Sequence, residues 1–505
     1  MKMRSLSALF LVPMTHLAAC GAPAPTPNPR IGKFEAAPCP VELPPGIELG
    51  DNVEFGYVTV PERHAHPEGP VIRIAVARFR SAAENPAPDA LVLNTGGPGD
   101  SNMDQFLPTL AGPAGPVLLG ERDAVVVELR GLRYSEPALV CDEVFEAQLS
   151  MLGKDVTGEE AKQLLLEGMR SCHDRFVAEG VDLSAYNNAE TAADIALIMS
   201  SLGYDEFNLF GSSAGTLIAQ HVMRDYPDRV RAAVLNAAVP LGGPALRNMV
   251  PNAAAALEKA FRLCEEDEGC RTAYPDLENR FFGLIEELNR EPVTLPVANP
   301  ANGETVDLVL NGDRLSTWLF GAMYMNTQIP ATLGRFVAGD FSVVQQHPGA
   351  LFPLTSFTYG LSYSIFSAEA VDFTVDDTRV PGRYAAFVDG FAMFFGPRLL
   401  ARAQEFWKVE RLDPELLRPL ESDIPTLILN GELDHGLPPE YPKGMVKHLE
   451  NGYLFLFPGV AHSPIDVGDC ALGMTLQFVH DPSKAPDSTC VEQFEHVLQT
   501  EAPAE

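Results

Sequence analysis

Apolar and polar positions along the chain fall into two periods. Residues 53–60 (VEFGYVTV) and 70–79 (PVIRIAVARF) alternate like two antiparallel strands joined by a polar turn. Shorter runs that are apolar almost throughout follow: ALVLN ending at Asn94, AVVVEL at 124–129, FNLF at 207–210, RAAVLN at 231–236, PTLILN at 425–430 and YLFLF at 453–457. Successive side chains of a strand point to opposite faces, so a continuous apolar run predicts a strand buried on both. Between several runs the period lengthens. In AETAADIALIMSSLG, Ile195, Ile198, Met199 and Leu202 share one helical face and Gly203 supplies a stop. Leu217, Ile218, His221 and Val222 recur at helical spacing until Pro227. Strand alternating with helix predicts an α/β fold, a mostly parallel sheet flanked by helices on both faces.

The alternation stops between about 241 and 415. That stretch reads as helical, in NAAAALEKAFRLCEEDEGC and DLENRFFGLIEELNREP, and carries exposed-looking aromatics and methionines in TWLFGAMYMN and FVDGFAMFFG. Strands resume after it, so it is expected to be an insertion forming a helical lid. The aromatic content fits either a cover over an apolar cleft or the lid's own packing. The predicted organisation is a leader at 1–20, a tether at 21–45, the core at 46–240, the lid at 241–415 and the rest of the core at 416–505.

Charge and the N-terminus place the chain. With 36 basic and 68 acidic residues the formal charge is −32, a surface that repels nucleic acid and anionic lipid. Lys2 and Arg4 precede a short apolar stretch, Leu6 to Met14, with the layout of an export signal too short to span a bilayer. It ends in Leu17-Ala18-Ala19-Cys20, which resembles a bacterial lipobox with Cys20 as the lipidated residue; the alternative is an ordinary signal peptide. The proline-rich GAPAPTPNPR that follows reads as an extended tether. No later stretch has eighteen consecutive apolar residues, so membrane attachment is expected only through lipid.

In an oxidising compartment the remaining cysteines should pair. Order along the chain suggests Cys141–Cys172, Cys264–Cys270 and Cys470–Cys490, leaving Cys39 over. None of the spacings has the form of a zinc site. His64 and His66, in ERHAHPEG, read as a turn rather than as ligands. No metal or cofactor is expected.

The candidate chemistry begins at Gly211-Ser212-Ser213-Ala214-Gly215, which follows an apolar strand and opens a helix. Glycines let the chain turn sharply there and expose the central hydroxyl, Ser213, as a nucleophile elbow requires. A serine hydroxyl needs a base to remove its proton and a third group to orient that base. Directly after PTLILN comes GELDHGLPP, offering Asp434, and directly after YLFLF comes PGVAHSPID, offering His462. Ser, acid and His thus occur in order on loops following strands. His435 competes as the base but is adjacent to Asp434; Glu432 is a lesser rival for the acid. The glycines of LNTGGPGDSN, after the strand ALVLN, let backbone N–H groups approach a carbonyl. Gly97 and Ala214 are the expected oxyanion donors, each contributing about 3 kcal/mol to lowering the barrier.

With these residues in view, the chain resembles the secreted tripeptidyl aminopeptidase and proline iminopeptidase group of α/β-hydrolases. The matching pieces are NTGGPGDS, ELRGLRYSEPALVC, YNNAETAADIALIMSSLGYDEFNLFGSSAGT, MRDYPDRVRAAVLN, IPTLILNGELDHGLPPE and FPGVAHSPI, with FVHDPSKAPDSTC near the C-terminus. The resemblance implies a Ser213, Asp434, His462 triad, a helical lid, substrates with a free amino terminus and the Cys470–Cys490 pairing. Departures are Ala214 in place of a large residue, Glu128 and Arg133 in the ELRGLRYS segment, and Phe55 where a cysteine would pair with Cys39. In the lid, SIFSAEAVDF has Phe366 in a cysteine position; there Glu369 is a candidate for holding a substrate ammonium, or else a solvated lid carboxylate. The leading expectation is a serine hydrolase cleaving amide bonds near a peptide N-terminus. The alternatives are a carboxylesterase with the same triad and, more remotely, a non-catalytic binding protein on the same fold. The partner is a small peptide or ester in each enzyme reading.

Overall fold

The apolar runs assemble into one nine-stranded sheet in a computed structural model that describes residues 30–494 other than 44, 46, 47, 51, 326, 327, 353–355 and 391–395. The leader, Cys20 and residues 21–29 and 44 of the tether therefore lie outside the described residues. In chain order the strands are β1 (Phe34–Ala36), β2 (Val53–Pro61), β3 (Val71–Phe79), β4 (Ala90–Asn94), β5 (Ala124–Val127), β6 (Phe207–Ser212), β7 (Val230–Asn236), β8 (Val293–Ala298), β9 (Thr305–Leu310), β10 (Thr426–Gly431) and β11 (Gly452–Phe457). The sheet order is β1-β2-β3-β5-β4-β6-β7-β10-β11. The strands β1, β2, β3 and β5 pair antiparallel, and from β5 to β11 every pairing is parallel. This is the mostly parallel sheet the alternation predicts, in the α/β-hydrolase arrangement the resemblance implies.

Period-two side-chain alternation divides the core between the two faces of the sheet. Val92, Val125, Leu209 and Ile428 pack in one cluster with Ile195, Ile198 and Ile218 of the helices Asn188–Ser201 and Gly215–Asp225. Their strand neighbours Leu93, Val126, Phe210 and Leu429 pack on the opposite face with Met103, Leu107 and Phe478. Each such buried aliphatic contributes about 1.5–3 kcal/mol relative to an exposed one. Arg130 ties loops to this frame from a fully buried position. Its Nε and Nη2 each donate to the Asp194 carboxylate at 2.7 Å, and Nη1 donates to the carbonyls of Glu62 and Ala185. His64, at the turn, places Nε2 at 2.7 Å from the same carboxylate.

Between β7 and β10 the chain leaves the sheet and builds a core of its own. The helices Pro244–Glu266, Leu277–Arg290 and Gly312–Met325 bring together Leu257, Phe281, Trp318, Phe320 and Met323. The exposed-looking aromatics of TWLFGAMYMN are thus largely buried, because the insertion is thick enough to need its own apolar centre. It also contains the hairpin β8–β9, which the helical reading missed. Its signal was present in the alternation of TVDLVL and in the Asn302-Gly303 turn, where Gly303 has φ +73°.

The disulfides Cys141–Cys172, Cys264–Cys270 and Cys470–Cys490 form as expected. Cys39 is free and half-buried, in the cluster that contains Phe55.

Candidate active site

The segment GSSAG crosses from β6 to the helix Gly215–Asp225 in a turn that puts Ser213 at φ +52°, a conformation L-residues rarely adopt. Two glycines make the turn possible. A Cβ on Gly215 would lie 2.3 Å from the carbonyl oxygen of Thr95, and one on Gly211 would lie 2.6 Å from that of Gly215. Both obstacles are backbone and cannot move aside. The Ser213 amide donates to the Asn236 carbonyl at 2.8 Å, locking the elbow to the end of β7. The two serines separate here. Ser212 Oγ accepts a hydrogen bond from Asn236 Nδ2 at 2.9 Å. Ser213 lines a cavity of about 680 Å³, within the range of small-molecule sites.

Asp434 and His462 come from the loops after β10 and β11 and meet at 2.8 Å, Asp434 Oδ2 to His462 Nδ1. The Asp434 carboxylate is wholly buried, and its second oxygen accepts the amides of Gly436 at 3.0 Å and Leu437 at 2.9 Å. Three donors therefore fix the carboxylate before any substrate arrives. Burial pulls the His462 pKa down, but the charge and hydrogen bond of Asp434, with Asp466 nearby, outweigh it and hold the imidazole above its ordinary value. His462 lines the same cavity as Ser213. Tyr324, from the inserted helix Gly312–Met325, accepts the His462 amide on its carbonyl at 3.1 Å and sets its ring edge-on to the imidazole, centroids 5.0 Å apart.

His435 does not line the cavity. It is buried between Tyr324 and Phe320, with ring centroids 4.2 and 5.0 Å away, and burial depresses its pKa to about 4. Glu432 does not line it either.

On the opposite wall the loop after β4 passes against the elbow. A Cβ on Gly96 would lie 2.9 Å from that of Ser213, so only glycine permits this approach. Gly97 and Ala214 both line the cavity, and neither amide has a protein acceptor among the described residues. Ala214 directly precedes the helix Gly215–Asp225, whose N-terminus favours negative charge. Asn102 pins the loop: its Oδ1 accepts the Thr95 amide at 2.7 Å and its Nδ2 donates to the Val127 carbonyl at 2.6 Å. Glu128 sits fully buried beneath, accepting the Met103 amide at 3.0 Å, and burial pushes its pKa up to about 7.

Glu369 ends the helix Tyr359–Glu369 in the cavity wall and is not solvated, being 5% exposed. Its two oxygens accept the Asn188 amide at 2.7 Å and Asn188 Nδ2 at 2.8 Å, and burial pushes its pKa up to about 7. The solvated-carboxylate alternative is thereby corrected. Among the described residues no cluster of three His, Cys, Asp or Glu side chains is arranged to hold a metal ion.

Sequence reasoning missed Asn236, Asn102 and Tyr324. Asn236 Nδ2 donates to Ser212 Oγ and to Ser463 Oγ, each at 2.9 Å, joining the neighbours of Ser213 and His462. The only sequence signal for it was an asparagine at the end of an apolar strand.

Residues 89–290 match the alpha/beta hydrolase fold family, a span that includes Ser213 and the Gly97 loop and stops before Asp434. Serine protease Hip1 of Mycobacterium tuberculosis is 28% identical over 246 residues, 46% of this chain and 45% of the relative. Tripeptidyl aminopeptidase of Streptomyces coelicolor is 30% identical over 196 residues, 37% of this chain and 35% of the relative. The chain thus spans less than half the length of these curated relatives. Proline iminopeptidase of Mycobacterium smegmatis, a solved structure, aligns over 85% of this chain and 98% of its own at 14% identity and a TM-score of 0.38. Family match and sheet topology together make the chain an α/β-hydrolase-fold protein, one that resembles the tripeptidyl aminopeptidase-like group.

Proposed function

We propose that the chain is an exported serine hydrolase that cleaves an amide bond near a free peptide N-terminus. Ser213 Oγ attacks the carbonyl carbon while His462 takes its proton. The amides of Gly97 and Ala214 receive the oxyanion, and His462 returns the proton to the departing amine, leaving an acyl-enzyme. Water, deprotonated by the same imidazole, then releases the acid. Asp434 keeps the imidazole in the tautomer that presents Nε2 to the hydroxyl. The observation that carries this reading is His462, paired with the buried Asp434 at 2.8 Å, lining one cavity with a serine held at φ +52°. Disulfides support export. Lipid attachment at Cys20 rests on the leader sequence alone, and Cys20→Ala should release the protein from the membrane fraction.

The second reading is a carboxylesterase. It is favoured by the stretch of cavity wall made of Leu91, Phe106, Leu118, Leu472 and Leu476, which suits an apolar acyl chain. The test is kcat/KM on matched peptide anilides with free and acetylated amino termini, beside a p-nitrophenyl ester, using protein lacking residues 1–20. A preference of about 30- to 1000-fold for the free amine supports the aminopeptidase. Equal or absent anilide cleavage with ester turnover discards it for the esterase. Ser213→Ala should lower kcat at least about 10³-fold with an unchanged melting temperature; surviving activity would exclude the elbow assignment.

A further inference from the structure

Two stretches of the insertion reach the catalytic centre. On one side of the cavity the Tyr324 carbonyl accepts the His462 amide. On the other, the stretch leading into the helix Tyr359–Glu369 runs against the loop after β4. The Thr358 amide donates to the Gly99 carbonyl at 2.8 Å. The Phe357 ring packs on the same loop, where a Cβ on Gly97 would lie 3.1 Å from a ring carbon and one on Gly99 would lie 3.0 Å from two. Phe357 is 2% exposed and lines the cavity beside Gly97. The loop has little else to hold it. Gly97 and Gly99 take φ of +108° and +128°, which glycine permits, but a residue without a side chain cannot anchor itself. Asn102 fixes the loop at Thr95, and Ser101 turns away to cap the following helix by accepting the Asp104 amide. Between them, among the described residues, the bond from Thr358 is the only hydrogen bond made by the main chain of residues 96–100.

We propose that Phe357 and Thr358 are positioning residues that aim the Gly97 amide at the developing oxyanion. The proposal rests on the serine-hydrolase reading, with Gly97 as a donor. An oxyanion donor works only when it sits about 2.7–3.1 Å from the place the charge will occupy, so the loop must be held before the substrate arrives. The sheet holds its two ends, and the insertion holds its middle, through one hydrogen bond and one aromatic face. The insertion therefore completes the catalytic apparatus as well as covering it, with Tyr324 on the base and Phe357 with Thr358 on the oxyanion loop.

The test pairs turnover of p-nitrophenyl acetate with the binding of two ligands, an alkyl trifluoromethyl ketone and the alcohol made by reducing it. Ser213 Oγ adds to the ketone carbon, its proton passes to His462, and the carbonyl oxygen becomes an oxyanion; the alcohol cannot react this way. Phe357→Ala should lower kcat about 10- to 100-fold and weaken the ketone by a similar factor, since misplacement near 1 Å costs about 10²-fold. KM and the affinity for the alcohol should stay within about threefold, because neither depends on the oxyanion. Phe357→Leu, which keeps more of the apolar volume, should show the same split at about 3- to 10-fold. A merely structural role would lower the melting temperature and weaken both ligands alike. The proposal is overturned if the folded variants keep wild-type kcat and ketone affinity, if ketone and alcohol weaken equally, or if neither variant folds. Failure of the serine-hydrolase reading would appear separately, as folded wild-type protein that a fluorophosphonate does not label at Ser213.

Discussion

Asn236→Ala probes the joint between the two halves of the candidate site. The Asn236 side chain is fully buried at the end of β7. It donates to Ser212 Oγ and Ser463 Oγ at 2.9 Å each, and its oxygen accepts the Ile465 amide at a longer 3.4 Å. The substitution removes two well-formed neutral hydrogen bonds, each contributing about 1 kcal/mol net, while the long third one adds little. Ser212 and Ser463 are only half-buried and line the cavity, so their freed hydroxyls can rehydrate and avoid the full penalty of stranded polar groups. The expected loss is about 2–3 kcal/mol, read by urea denaturation as a lower midpoint with an unchanged slope. The backbone bond from Ser213 to the Asn236 carbonyl survives, so the elbow stays folded. Loosening the neighbours of both Ser213 and His462 should still lower kcat about 10- to 100-fold with little change in KM, since misplacements near 1 Å cost about 10²-fold. A stability loss below about 0.5 kcal/mol together with wild-type kcat would refute the argument.

Because His462 is held above its ordinary pKa near 6.5, its protonated, inactive form persists to higher pH. The acid limb of kcat/KM should therefore have its midpoint above 6.5, and Asp434→Asn should move it down while lowering kcat about 10³- to 10⁴-fold; a wild-type midpoint at or below 6.5 would contradict this. The Glu128 carboxyl is raised from 4.5 to about 7, so the folded state keeps a proton that the unfolded chain loses. Its effect is that stability falls as pH rises from about 4.5 to 7, by up to about 3 kcal/mol. Glu128→Gln should flatten that slope in denaturation curves taken across the interval. Gly215→Ala places a Cβ 2.3 Å from the Thr95 carbonyl and should cost at least about 2 kcal/mol, visible as a lowered melting temperature.

Sequence alone determined the α/β class and the order in which chemistry-bearing residues follow strands. A strand buried on both faces must be apolar at nearly every position, so 90–94, 207–210 and 425–430 were legible as strands before any partner was known. The elbow was legible because its glycines answer a local steric demand. Only the tertiary structure decided which of two adjacent serines is hydrogen-bonded to Asn236, that His462 pairs with Asp434 and not Glu432, and that Glu369 is buried against Asn188. It also turned the aromatic-rich insertion inward and added the β8–β9 hairpin. Periodicity reports how one segment is buried, whereas a hydrogen bond such as Asn236 to Ser463 joins residues 227 positions apart. Which polar groups meet over such distances is set by the sheet order, and the sheet order is a property of the whole chain.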